Sequence, residues 1–108
     1  MLGKELIGKS FRLDNGRSFK VLKIKPYTTQ RISKRFDYIK SIKPGFLVVL
    51  PYRGALLPNI TLERGVCMIV AAEIDGKVVR RPGRVSKALG IDTYLAGGMR
   101  LKEIKRTK

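Results

Sequence analysis

The chain has 108 residues, of which 44% are hydrophobic, enough for one domain over residues 1–108 with a single modest core. It carries 24 Lys and Arg against 8 Asp and Glu, a formal net charge of +16, which exceeds what solubility needs and destabilises a compact state by self-repulsion. A polyanionic partner is therefore expected. The cations run from Lys4 to Lys108 through segments that also hold apolar runs, so they belong to a folded face and not to a detached basic tail. A lone cysteine, Cys67, excludes an intrachain disulfide and a multi-cysteine zinc site, and its place in Val66-Cys67-Met68-Ile69-Val70 predicts a buried, inert thiol. Histidine is absent, which excludes the usual form of a serine or cysteine triad. Neither a phosphate-binding loop nor a dinucleotide fingerprint occurs, so no cofactor and no metal are expected. The longest apolar runs have strand length, and neither a basic amphipathic helix nor a lipidation signal is found. An intracellular protein without a membrane partner is the expectation.

In chain order, Leu2, Leu6 and Ile7 recur at about one helical turn before Gly8, predicting a short N-terminal helix. Ser10 to Leu13 and Ser18 to Ile24 flank Asp14-Asn15-Gly16, the strongest hairpin signal in the chain, and Pro26 is expected to stop the second strand. From Tyr27 to Lys43 the sequence is polar and basic and reads as a long loop or a short irregular helix. Lys43-Pro44-Gly45 predicts a turn into Phe46 to Leu50, an apolar run typical of a strand buried on both faces and ended by Pro51. Turns at Tyr52-Arg53-Gly54, Glu63-Arg64-Gly65 and Asp75-Gly76 separate further strands over Ala55 to Thr61, Val66 to Ile74 and Lys77 to Arg80. Pro82-Gly83-Arg84 then opens a helix with Val85, Ala88 and Leu89 on one face, stopped by Gly90. Gly97 and Gly98 read as turn residues and Lys102 to Lys108 as a frayed basic tail. The expected class is α+β, with a curved, mostly antiparallel sheet and short helices.

Several of these pieces, taken in order, resemble the alkyladenine (3-methyladenine) DNA glycosylase family. Leu6-Ile7-Gly8-Lys9 is similar to the end of that family's first helix, Val21 to Tyr27 to its strand ending in glutamate-alanine-tyrosine, and Lys43-Pro44-Gly45 to its lysine-proline-glycine turn. Phe46 to Ile60 parallels its aromatic strand and wedge hairpin. Arg81-Pro82-Gly83-Arg84-Val85-Ser86-Lys87-Ala88-Leu89-Gly90-Ile91-Asp92 resembles its proline-glycine-lysine-leucine segment followed by alanine-leucine-glycine-isoleucine, and is the most specific of these matches.

The resemblance implies a partial barrel of that family's fold, duplex DNA as partner, and base excision by nucleotide flipping. Tyr52 falls at the family's wedge position, Asn59 at its pocket asparagine and Tyr27 at a base-stacking tyrosine. Lys43, Arg53, Arg80, Arg81, Arg84 and Lys87, beside the wedge and helix motifs, are the candidate phosphate contacts. The chemistry departs from the pattern. Lys25 stands where the family carries its catalytic glutamate, Val49 replaces a stacking tyrosine, and the pocket arginine falls near Ala71. Asp37 and Glu73 are the substitutes considered for a water-orienting carboxylate. Lys25 itself admits a different route, in which its amine attacks the anomeric carbon and forms a Schiff base. Two readings follow: a glycosylase acting on alkylated or deaminated purines in base-excision repair, and a non-catalytic nucleic-acid-binding protein of ribosomal or chromatin type.

Overall fold

The computed structural model describes residues 3–28, 34, 39, 42–92 and 95–105. It is an α+β fold in which seven strands form one sheet around a core closed by one short helix. The strands are β1 (Ser10–Leu13), β2 (Ser18–Thr28), β3 (Phe46–Tyr52), β4 (Ala55–Leu62), β5 (Gly65–Ile74), β6 (Lys77–Arg80) and β7 (Leu95–Ile104). Helix α1 (Pro82–Ala88) links β6 to the segment before β7. Lateral order is β2-β1-β7-β3-β4-β5-β6, every ladder is antiparallel, and β2 also pairs with β5. The sheet therefore closes into a ring. It is not a barrel, because β5 has three neighbours: β2 runs along one edge from Gly65 to Glu73, while the other is divided between β4 at Gly65 to Met68 and β6 at Ala71 to Ile74.

Alternation along the strands builds two apolar clusters. Phe11, Leu13, Phe19, Val21, Leu47, Val49, Ile60, Ile69 and Ala72 fill the inside of the ring with Val85, Leu89 and Ile91 from the helical segment. Val48, Leu50 and Val66 face outward and are covered by Ile39, with Tyr27 and Ile42 packed at the margin. The run Leu47 to Leu50 is thus buried on both faces, as its composition predicts. At seven residues α1 is too short to persist alone, and burial of Val85 and Leu89 holds it. Its end is tied to the first hairpin: the Asn15 side-chain amide donates to the Leu89 carbonyl (3.0 Å), while Asn15 Oδ1 accepts from the Arg17 N–H (2.9 Å).

Four expectations need correction. Where the sequence predicts a short N-terminal helix, Gly3 to Gly8 holds a three-residue 3-10 turn, Lys4–Leu6, anchored by the buried Leu6 while Ile7 lies exposed; Leu2 lies outside the described residues. The strands run through Pro26 and Pro51 instead of stopping there. Among the described residues β2 has β1 as a neighbour only at Ser18 to Lys20, and β3 has β7 only as far as Val49, so each proline lies where one strand edge shows no ladder to lose a hydrogen bond from. Lys102 to Ile104 is not frayed but forms the end of β7 paired to β1; residues 106–108 lie outside the described residues. Gly97 and Gly98 belong to the same strand, and Gly98 (φ +79°) lies within the stretch over which the β3–β7 register shifts. Much of the basic segment 29–41, including Asp37, also lies outside the described residues.

No helix among the described residues is long and apolar enough to cross a membrane. Gly65 has no room for a side chain, since a Cβ there would meet the Tyr27 carbonyl oxygen at the β2–β5 junction. The Cys67 thiol is enclosed, and burial, with a smaller contribution from the negative charge of Glu5, pushes its pKa up to about 11 from 9.0. The folded chain keeps that proton at pH values where the unfolded chain has released it. The resulting stability is present below about pH 9 and is lost as pH rises through about 11. Thermal melts between pH 8 and 11 should fall more steeply for wild type than for Cys67→Ala, and thiol reagents should label Cys67 only on unfolding; equal slopes would refute this.

Candidate nucleic-acid interface

The β3–β4 hairpin turns through two residues, Arg53 (φ +48°) and Gly54 (φ +80°), the left-handed pair that a tight hairpin of this twist requires. Tyr52 pairs with Ala55 at its base and is half exposed, and the Arg53 guanidinium carbon lies 5.3 Å from the Tyr52 ring centroid. The start of α1 packs against this tip: a Cβ on Gly83 would stand 3.4 Å from the Ala55 Cβ. Between hairpin and helix lies an open groove of about 900 Å³, lined on one wall by Gly54 to Leu57 and on the other by Arg81, Arg84, Lys87 and Asp92.

Arg81 enters α1 with φ +80° and ψ +132°, a conformation natural to glycine, while its N–H is held by the Val70 carbonyl at 2.8 Å. Among the described residues three non-glycine residues have positive φ: Arg53 at the hairpin tip, Arg81 in the groove wall and Asp75 in the β5–β6 turn. Arg84 and Lys87 follow on the exposed side of the helix, whereas Val85 and Leu89 face the core. Among the described residues the ion pairs are Lys9 with Glu103 (3.6 Å) and Arg17 with Asp75 (3.9 Å), and neither involves a cation of the groove.

The structure brings Arg81, Arg84 and Lys87 together along the groove, while Tyr52 and Arg53, in contact with each other at the tip, adjoin the opposite wall through Gly54 without lining it. Arg80, exposed at the end of β6, adjoins Arg81 without lining the groove. Lys43 does not join them: it precedes β3 at the strand's other end, about 20 Å from the hairpin at 3.3–3.4 Å per residue. There the Thr61 hydroxyl donates to the Lys43 carbonyl (2.7 Å) and accepts from the Phe46 N–H (2.9 Å), fixing the turn.

The residues expected to form the pocket share one face of the sheet, with Lys25 and Asn59 in one lateral row and Tyr27 in the next, opposite Val66. Lys25 is in register with Met68 and Met68 with Asn59, which pairs with Val48, so Lys25 and Asn59 are separated by one strand, about 10 Å. Leu50 and Tyr52 continue the parity of Val48. Tyr27 is half-buried against Val48, Leu50, Val66 and Ile39, and Lys25 Nζ lies 5.7 Å from its ring centroid. Lys25 is exposed. Asn59 is buried, and its amide donates to the Leu57 carbonyl at 3.1 Å, the local bond of an asparagine that stiffens its own strand. Glu73 stands opposite Lys20 at the far end of β5, away from the groove. Asp92, which sequence reasoning did not select, is the carboxylate in the groove lining; it follows the glycine stop of α1, and only the approach of the hairpin gives it that setting. Among the described residues no group of three or more Cys, Asp or Glu could hold a metal ion.

No protein-family model matches the chain, and no curated protein matches it.

Replacing Arg81 by glycine separates strain from binding. Arg81→Gly should leave Tm equal or higher, a gain of up to ~1 kcal/mol once the added freedom of the unfolded chain is offset against relief of the strained φ. It should also weaken duplex binding and reduce the slope of log K against log salt by about 0.9. Calorimetry and titration across a salt series read the two effects separately; a lower Tm with unchanged binding would refute this assignment.

Proposed function

We propose that this chain binds duplex DNA through the groove between the β3–β4 hairpin and α1, and that it acts as a base-flipping protein of the alkyladenine DNA glycosylase type. The observation that carries the reading is a groove whose helix wall bears Arg81, Arg84 and Lys87 and whose opposite wall, Gly54 to Leu57, adjoins the exposed Tyr52-Arg53 tip. The helix-wall cations engage phosphates, and the tyrosine at the tip enters the minor groove and fills the space of an extruded nucleotide. Stacking of this kind is worth about 1–3 kcal/mol per base. Lys25, Tyr27 and Asn59 share a face lateral to the strand that ends in Tyr52, a face covered by Ile39, so a flipped purine would have to displace that cover to reach them; the similarity of the ring-closed sheet to that family's fold belongs to the same proposal.

Cleavage of the N-glycosidic bond needs a group that activates water or replaces it. Asp92 offers a carboxylate within the groove. Lys25 offers the alternative of an amine nucleophile that leaves a Schiff base at the sugar, although its exposure supplies none of the desolvation that activates such lysines. A second reading, a non-catalytic nucleic-acid binder, is favoured by one observation: Asn59 is buried, with one amide N–H bonded to the Leu57 carbonyl, and so is not presented to a base edge.

Duplexes containing hypoxanthine, 1,N6-ethenoadenine or 3-methyladenine distinguish the readings through alkali-labile abasic sites. The glycosylase reading expects base release that Tyr52→Ala reduces at least tenfold with little loss of stability. It further expects loss of release in Asp92→Asn, or a borohydride-trapped adduct that Lys25→Ala abolishes. Salt-sensitive binding with no release from any of the three lesions would leave the binder.

A further inference from the structure

A second cationic surface lies at the other end of the fold, on strands that none of the motifs above includes. In β1 and β7 the inward positions are Phe11, Leu13 and Leu101, so Arg12 and Lys102, which stand directly opposite each other in register, project from the outer face. Arg100 is two residues along the same side of β7 and pairs with Phe46 of β3. All three are exposed. Lys20, in register with Ser10, extends the row onto β2, with Glu73 opposite it at that margin. Like charges directly opposed across a ladder are destabilising. Each of Arg12, Arg100 and Lys102 lies within about 7 Å of another, inside the ~8 Å screening length at physiological salt, so their repulsion is felt. The carboxylate on β7 does not relieve it: Glu103 has the opposite parity and pairs with Lys9.

We propose that the outer face of β1 and β7 is a second binding surface for a nucleic-acid phosphodiester backbone, centred on Arg12, Arg100 and Lys102. A ligand that offsets three closely spaced cations on a flat sheet must present several anions at comparable spacing, which a phosphodiester chain does and a single small anion does not. The most exposed large apolar side chains of the described residues, Ile7, Tyr52 and Val78, lie elsewhere, and Phe46 and Ile104 beside these cations are only partly exposed, which favours a phosphodiester chain over a lipid surface. It is about 20 Å along β3 from the hairpin tip, more than two screening lengths, and so acts independently of the groove. The surface requires neither base flipping nor catalysis.

The test uses the full chain and a short undamaged duplex, so failure of base excision does not affect its outcome. Arg12→Gln/Arg100→Gln/Lys102→Gln should lower the slope of log K against log salt by about 2 to 3, at about 0.9 per phosphate lost. Arg84→Gln/Lys87→Gln should lower it by a separate, additive amount. A charge-matched control, Lys4→Gln/Arg64→Gln/Lys77→Gln, should change it little. Removing the opposed charges should also raise Tm, in the triple variant and in Lys102→Gln alone. The proposal is overturned by a slope unchanged in the triple variant, by an equal fall in the control, by a lowered Tm, or by lost binding to phosphatidylserine vesicles with duplex binding intact.

Discussion

Strand β5 gives one edge to β2 along nearly its whole length and divides the other between β4 and β6, and the remaining geometry follows from that division. Because β4 already occupies the first half of the edge, β6 has room for four residues, Lys77 to Arg80. The chain must then leave the sheet. It does so at Arg81, whose N–H is still bonded to β5 through the Val70 carbonyl, and which accepts a glycine-like backbone to turn directly into α1. The helix cannot drift, since Val85 and Leu89 are buried inside the ring and Asn15 holds its end. Its exposed side is left facing the β3–β4 hairpin, and the basic groove results.

Much of this was legible in local sequence. Asp14-Asn15-Gly16 and Asp75-Gly76 announce hairpins because their residues tolerate positive φ, the double-sided burial of Leu47 to Leu50 shows in its unbroken apolar composition, and Pro82 and Gly90 bracket α1 as helix-start and helix-stop residues. What was not legible depends on pairing between distant segments. Pro26 and Pro51 read as breakers, yet among the described residues each lies where one strand edge carries no ladder, and only the sheet order reveals that edge. The last strand was hidden because Arg100, Lys102 and Lys105 give it the composition of a tail, while the residues that pack it, Met99 and Leu101, are few. In the candidate site, Tyr52, Arg53, Arg81, Arg84 and Lys87 were legible as motif neighbours. Asp92 and the buried amide of Asn59 were not, because their surroundings are set by tertiary approach.

The charge of the protein is distributed in two places by the same topology. One group of cations surrounds an exposed tyrosine and a groove, where a duplex can be held and a nucleotide displaced; the other lies flat across β1 and β7. Both are weakly compensated by carboxylates within the described residues. In the proposed reading, attraction to a phosphate backbone offsets the self-repulsion of each, which makes salt dependence the natural measure of their action. Chemistry is a narrower matter. A lysine at the position that a glutamate holds in the resembled family moves any hydrolytic role onto another carboxylate, and the groove presents Asp92.

Backbone amide shift mapping of the labelled protein with an undamaged duplex at low salt tests most directly whether hairpin and helix form one interface. The account predicts that the largest perturbations group on residues 52–57 and 81–92, with a weaker second group on β1 and β7. Perturbations that leave both the Tyr52-Arg53 tip and α1 unmoved while other surfaces respond would contradict it.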